Sequence, residues 1–461
     1  MIQNNRSTEI AAVLAVRLDA MRPGSRLPGV RELALEFQAS PATVSAALAE
    51  LTALGRVRAE PGRGTFVLGA AADSDPDFAW QSQALSGARV DADRASRLGG
   101  HGAPDQLPLS WGYLAPELSP TAELARIGAR AAKHPRSWAV PSPGGSPELR
   151  RVLAADYRVD PTEVLVVPGG QAGLVYAMRT LADPGDTLIM ESPSYPGAIL
   201  AAQSAGLKLA AVPADRDGIL VDRLAEELAR TRARVIYLQP SYANPTGVVL
   251  SAERRQRVIE LAVAHGAFII EDDWARHLNI DGASPAPLFA TAADGHVVSV
   301  LTLSKPASPG LRIGAVVARG PAGERLRAAR AADDLGVAPL TQEIALDLLT
   351  SSAWPRHLKR LRHELAARRD VLTAAIRTTL PDVHVANVPS GGIHLWARLP
   401  QGADTRAIAR AAHEAGVLVG DGRHFYVDEP PAPHLRFSFG AASEAQITEG
   451  VRRLARVLAG R

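Results

Sequence analysis

From about Leu109 onward, short continuous apolar runs alternate with stretches whose apolar residues recur every three or four positions. Short runs bounded by turn residues read as strands buried on both faces, and the longer-period stretches read as amphipathic helices. The predicted strands are EVLVV, DTLIM, KLAAV, RVIYL, AFIIE, HVVSVLTL and IGAVVA, with helices over Gln171–Leu181, Asp222–Arg230 and Ser251–Ala264. That alternation predicts an α/β domain on a mostly parallel sheet with helices on both faces. Nearer the C-terminus, VHVANV, GIHLWARL and HLRFSF alternate with helices and predict a smaller α+β part.

The first seventy residues follow another pattern. Ile10, Val13, Leu14 and Leu18 predict one face of a helix over residues 7 to 21, broken by Pro23-Gly24. VRELALEF (Val30 to Phe37) predicts a second short helix. Ser40 suits a helix cap and Pro41 a first helical position, so a third helix is expected from Pro41 to Leu54. RVRAEPGRGTFVLG then predicts a β-hairpin turning at Pro61-Gly62-Arg63-Gly64. Together these give an α+β helix-turn-helix with a wing over residues 1–69. In such a module the third helix presents Ser40, Thr43 and Ser45 to base edges, and Arg31, Arg56, Arg58 and Arg63 hold phosphates. Eight arginines against six acidic residues leave only +2 there, so charge alone says little about DNA.

Residues 70–108 are rich in Ala, Asp, Gly and Ser and read as a linker, with a helical turn around Phe78 to Leu85 and little to bury near Gly99-Gly100 and Pro104. The large domain then covers 109–461. No apolar run approaches the roughly 18 residues that a membrane span needs, and MIQNNRSTEI lacks a basic start followed by an apolar core. A soluble cytoplasmic protein with no membrane partner is therefore expected. With no cysteine in the chain, a disulfide framework and a thiolate metal site are excluded, and no metal is expected.

Chemistry enters with Lys305. Lys133, Lys208, Lys305 and Lys359 are the only lysines in an arginine-rich chain, and a primary amine can join an aldehyde where a guanidinium cannot. Lys305 follows HVVSVLTL; Gly169-Gly170-Gln171 follow EVLVV; Tyr195 follows DTLIM; Asn244-Pro245-Thr246-Gly247 follow RVIYL; Asp272 ends AFIIE. In an open α/β sheet the C-terminal ends of the strands form the ligand crevice, so these distant residues are expected to converge.

Leu27-Pro28, Arg31-Glu32-Leu33-Ala34, Ser40 to Val44 and Gly62 to Val67 resemble the winged helix of the GntR superfamily, although Pro41 and Ser45 stand where that family usually carries arginine. The strand-end set resembles the fold-type I pyridoxal 5'-phosphate (PLP) aminotransferases, and the whole chain resembles the MocR subfamily of GntR regulators. The resemblance implies that Lys305 is the Schiff-base lysine. It implies further that Asp272 pairs with the pyridine nitrogen, Asn244 meets the phenolic oxygen, and Tyr195 stacks on the ring. Gly170, Gln171, Thr302, Ser304 and Arg312 would hold the phosphate, and Arg436 in HLRFSFG would take a substrate or effector carboxylate. Trp274 stands where the family usually has a tyrosine.

Two functions follow from the resemblance. The first is a regulator that binds double-stranded DNA and responds to PLP, an amine or an amino acid at Lys305. It would act as a homodimer in head-to-tail order. The alternative is a working PLP-dependent transaminase carrying a winged helix.

Overall fold

The computed structural model describes residues 3–68, 78–99, 103, 105–292 and 294–460. The chain divides into two compact units, Met1–Gly87 and Ala88–Arg461.

In the first unit, helix α1 (Gln3–Asp19) turns Ile10, Ala11, Leu14 and Leu18 inward against Leu33, Val44, Ala47, Leu48 and Leu51. Val13, expected on that face, is 56% exposed: positions 10, 11, 14 and 18 complete the buried stripe, and Val13 falls outside it. Helices α2 (Val30–Glu36) and α3 (Pro41–Ala53) follow, with Ser40 Oγ accepting the Thr43 N–H at 3.1 Å as the α3 cap. Strands β1 (Val57–Glu60) and β2 (Gly64–Val67) pair antiparallel, and positive φ at Gly62 (76°) and Gly64 (120°) makes the turn between them. A short helix, Ala79–Ala84, lies where the helical turn is expected.

The second unit is built on an eight-stranded sheet. Its strands are β3 (Val164–Val167), β4 (Thr187–Ser192), β5 (Lys208–Asp215), β6 (Gly218–Ile219), β7 (Val235–Leu238), β8 (Phe268–Asp273), β9 (Val297–Thr302) and β10 (Gly314–Val317), in the order β3-β10-β9-β8-β7-β4-β5-β6. β5, β4, β7, β8 and β9 run parallel, while β10 runs against both of its neighbours, β3 and β9. Successive strand residues point to opposite faces, and the core divides accordingly. Ile236, Ile269 and Val297 join one cluster; Tyr237, Ile270 and Val298 join the other.

A second sheet, β11 (His384–Val385), β12 (His394–Arg398), β13 (Gly420–Asp421) and β14 (His434–Ser438), is antiparallel in the order β11-β12-β14-β13. It packs with the long helix Ala353–Thr379 and the last helix, Glu444–Ala459, around Leu365, Leu395, Phe437 and Leu454. β13 and β6, two residues each, are too short to leave a periodic signal.

Within the stretch expected as a linker, residues 70–77, 100–102 and 104 lie outside the described residues, Gly100 and Pro104 among them. Residues 92–99 form a helix. Asp91 Oδ1 accepts the Arg94 N–H at 3.1 Å at its start, and Arg94 Nη2 donates to the Tyr426 carbonyl at 2.9 Å. Leu107 bridges to Val417, and its N–H donates to the Gly416 carbonyl at 2.9 Å, which ties the chain into the second unit before the large domain proper.

Candidate functional site

Five strands deliver side chains to one edge of the large sheet. After β3 the chain turns through Gly169 (φ 89°) into the helix Gly170–Leu181. A Cβ on Gly169 would lie 2.8 Å from the Arg312 guanidinium, so the missing side chain is what lets Arg312 lie over this turn. There Arg312 Nη2 donates to the Pro168 carbonyl at 2.8 Å. Because β10 is antiparallel, Arg312, just before its start, sits at the same edge as Thr302, the last residue of β9. A Cβ on Gly170 would sit 3.3 Å from Thr302 Cβ. Thr302 Oγ1 accepts the Ser304 N–H at 3.1 Å, and the Ser304 hydroxyl is buried without a partner among the described residues. The first turn of the helix leaves N–H groups without intrahelical partners beside the Arg312 guanidinium and this free hydroxyl: an anion cradle.

Lys305 lies next to it, and with Asp272, Asn244, Tyr195, Trp274 and Arg436 it lines a cavity of about 550 Å³. Lys305 Nζ donates to the Gly112 carbonyl at 2.6 Å and stands 3.6 Å from the centre of the Tyr113 ring. Burial lowers its pKa to about 7, the cations Arg436 and Arg312 adding to the effect and Asp272 opposing it.

Asp272 is buried near the end of β8. Its Oδ2 accepts from Tyr237 Oη at 2.7 Å and from Gln239 Nε2 at 2.8 Å. Burial raises its pKa to about 6 against the pull of those two bonds. Asn244 donates its backbone N–H to Gln239 Oε1 at 2.8 Å, and its Oδ1 accepts from Arg436 Nη1 at 3.1 Å.

Arg436 is at the centre of β14, its guanidinium 4.8 Å from the Phe425 ring centre. Burial lowers its pKa to about 10, which leaves it charged at neutral pH. Its Nη2 donates to the Ser110 carbonyl, and its Nε has no partner among the described residues. Tyr195 Oη donates to Gln171 Oε1 at 3.2 Å, and Gln171 Nε2 donates to the Gly197 carbonyl at 2.8 Å, so the Gln171 side chain orients the tyrosine while its backbone faces the cradle. Trp274 stacks on His394 with ring centres 5.5 Å apart, and its buried indole N–H has no partner among the described residues. His394 is held well below the usual imidazole pKa by burial and by the charges of Arg436 and Lys305, so it is neutral.

The edge therefore brings together Gly170, Gln171, Tyr195, Asn244, Asp272, Trp274, Thr302, Ser304, Lys305, Arg312 and Arg436. Sequence reasoning misses Gln239, Tyr237 and His394, and also the strap Ser110–Tyr113 that covers Lys305 and Arg436. Gln239 was within reach of the strand-end rule, since it directly follows RVIYL.

In the first unit the DNA-facing candidates separate into two groups. Ser40 is engaged in capping α3, its hydroxyl also 2.8 Å from Thr43 Oγ1, while Ser45 is exposed. Arg56 is turned inward, donating to the Ala15 carbonyl at 3.3 Å and to Asp19, so it braces α1 rather than standing free for a phosphate. Arg58 and Arg63 flank Glu60 on the wing at 2.8 and 2.7 Å with both guanidiniums well exposed. Exposed pairs of this kind contribute little, and phosphates can replace the glutamate. Arg31 is exposed and makes no ion pair among the described residues.

Comparison with known proteins bears on both units. Residues 107–454 match the family model "Aminotransferase class I and II", and residues 7–67 match "Bacterial regulatory proteins, gntR family". The chain is 30% identical over 443 residues to the uncharacterized HTH-type transcriptional regulator YdfD of Bacillus subtilis, covering 94% of this chain and 91% of that protein. It is 28% identical to the probable rhizopine catabolism regulatory protein MocR of Rhizobium meliloti, covering 96% and 91%. Among solved structures it resembles LysN, the α-aminoadipate aminotransferase of Thermus thermophilus in complex with N-(5'-phosphopyridoxyl)-L-leucine. That match has a TM-score of 0.76 and 30% identity over 82% of this chain and 98% of LysN.

Proposed function

The chain belongs to the class I and II aminotransferase family and carries a gntR-family domain ahead of it, as MocR-type regulators do, and from that premise we propose that it is a PLP-responsive transcriptional regulator. One observation carries the reading: a single cavity joins an amine of lowered pKa, a buried carboxylate and a buried arginine, in a chain whose winged helix keeps its cap and its wing turn.

The residues fit PLP. The unpartnered Ser304 hydroxyl, the Arg312 guanidinium over Gly169 and the open N–H groups of the helix Gly170–Leu181 suit a phosphate. Asp272 keeps Oδ1 free of hydrogen bonds among the described residues and lines the cavity, where it can accept from a protonated ring nitrogen. Asn244 and Tyr195 also line the cavity, where Asn244 would meet the phenolic oxygen and Tyr195 the ring face. When bound, PLP supplies an aldehyde open to a primary amine and a ring that draws electrons from it. The protein's part is to hold that amine near neutrality at Lys305 Nζ and to receive an effector carboxylate at Arg436. Joining the cofactor must free Lys305 from the Gly112 carbonyl, and the effector carboxylate must displace the Ser110 carbonyl from Arg436.

We assign DNA binding to residues 1–69, the linker to 70–108 and the PLP-binding domain to 109–461. The wing ending at Val67 and the division between Gly87 and Ala88 support that order. DNA contact falls to Thr43 and Ser45 on α3 and to Arg31, Arg58 and Arg63. A DNA-bound regulator works in the cytoplasm. Exposed Trp138, Val140 and Leu335 support a homodimer, whose head-to-tail order is our proposal from the resemblance. A monomer in sedimentation at micromolar concentration would remove that part of the reading.

Mobility shifts on DNA upstream of the gene and its neighbours should show binding that changes when PLP or an amine is added. Within the same assay, Arg63→Ala should weaken binding to all sequences alike and reduce the slope of log affinity against log salt by about 1. Absence of binding to any of these DNAs would sink the regulator reading. The second reading, a working transaminase, is favoured by Lys305, Asp272 and Arg436 lining one cavity, and repeated turnover of an amino donor and a keto acid would establish it.

A further inference from the structure

Gln239 directly follows β7, the strand between β4, which carries Glu191, and β8, which carries Asp272. It is 3% exposed and held at both ends. Its backbone N–H donates to Glu191 Oε1 at 2.7 Å, its Oε1 accepts the Asn244 backbone N–H at 2.8 Å, and its Nε2 donates to Asp272 Oδ2 at 2.8 Å. The orientation of the amide follows from these partners. A backbone N–H can only donate, so the end facing Asn244 is the oxygen and the end facing Asp272 is the NH₂. Asp272 Oδ2 thus receives two donated hydrogen bonds, from Gln239 and from Tyr237, which keeps that oxygen unprotonated and leaves Oδ1 for the cavity.

We infer that Gln239 is a positioning residue that joins Asp272 and Asn244 into one unit, fixing at once the charge that meets the cofactor's ring nitrogen and the amide that meets its phenolic oxygen. The inference rests on the PLP reading above. One side chain sets both contacts, so they move together. Through Asn244 Oδ1 the same link reaches Arg436 Nη1, and so the end of the site that receives a carboxylate. The groups facing Asp272 show why the donated bond matters. Tyr237 donates to it from β7; Asp273 beside it disfavours its charge; Glu191 on β4, its pKa raised to about 8 by burial with Asp272 adding to the effect, is mostly uncharged at neutral pH; Tyr195 lies across the cavity; Lys305, after β9, supports the charge. Removing the Gln239 donor takes away one of the two bonds that offset burial, so the proton affinity of the carboxylate rises and the proton it shares with the ring nitrogen moves toward Asp272.

The test loads the full-length protein with PLP labelled with ¹⁵N at the ring and follows the ring-nitrogen shift against pH, with PLP affinity measured alongside. In Gln239→Leu the ring-nitrogen signal at neutral pH should shift toward the unprotonated form as the proton moves to Asp272, the pair should release that proton about one pH unit higher than in the parent, and PLP should bind about tenfold more weakly. Gln239→Glu keeps the volume but sets a second carboxylate against Asp272, and should disturb the titration more than Leu does. Gln239→His, which restores a ring N–H donor, should recover part of the shift. Melting of the cofactor-free proteins separates a folding defect from a site defect; if the Leu variant does not fold, the isosteric Glu variant carries the test. Titration and affinity equal to the parent in a folded Leu or Glu variant would overturn the role of Gln239 while leaving the PLP site standing. A parent that takes up no PLP would overturn the cofactor reading itself.

Discussion

Lys305→Ala should change the visible absorbance of bound PLP to that of the free aldehyde and leave the cofactor unable to be fixed to the chain by borohydride, as read by intact mass. The reason is chemical: among the residues lining the cavity, Lys305 has the only primary amine. The anion cradle at Gly170, Ser304 and Arg312 survives the change, so PLP should still bind, reversibly and more weakly. The pH dependence tests the environment of the amine. With a pKa of about 7, lowered by burial and by Arg436 and Arg312, Lys305 is mostly protonated below that pH and mostly free above it. Since the free amine is the nucleophile, PLP attachment to stripped protein should accelerate about tenfold per pH unit on the acid side and level off above 7. An acceleration that continued toward pH 10 would mean an ordinary, solvated lysine. An unchanged spectrum in Lys305→Ala would place the cofactor elsewhere.

Much of this site was legible because sheet geometry converts sequence position into spatial position. Lys305, Asp272, Asn244, Tyr195 and Gly170 each follow or end an apolar run, and parallel strands bring such ends to one edge. Arg312 arrives by a different rule, as the residue before an antiparallel strand, and only its closeness to Lys305 in sequence marks it. What stayed hidden depends on partners across strands. Gln239 matters because β7 lies between β4 and β8, an order that the apolar runs do not encode. His394 comes from the smaller sheet, and it is a cavity residue only because the two sheets meet at Trp274. Arg56 looked like a phosphate contact by composition, but Asp19 and the Ala15 carbonyl, about forty positions away in sequence, hold it inward. The helix over residues 92–99 offers only Ala92, Ala95 and Leu98 as an apolar stripe; a cap at Asp91 and one arginine bonded to Tyr426 help to hold it.

Arg436→Gln should separate amino acids from plain amines. In the structure the guanidinium is satisfied by Asn244 Oδ1 and the Ser110 carbonyl, with Nε unpartnered among the described residues, so an incoming carboxylate has donors to capture once the Ser110 strap yields. A planar fork of donors suits a carboxylate held by two bonds, and burial strengthens the attraction relative to water. Truncating one member of a buried charge pair costs about 2–5 kcal/mol, so the apparent affinity for an amino acid should fall by about thirtyfold or more. The matching amine without a carboxylate has nothing to lose at Arg436, and its effect on the absorbance of bound PLP should change by about threefold at most, the room left by Asn244 losing one neighbour. The measurement is a titration of bound-cofactor absorbance with an amino acid and its decarboxylated amine, in the parent and in Arg436→Gln. Equal losses for both ligands would show that Arg436 only braces Asn244. A loss confined to the amino acid would assign the carboxylate to β14 and make Ser110–Tyr113 the segment that an effector must displace.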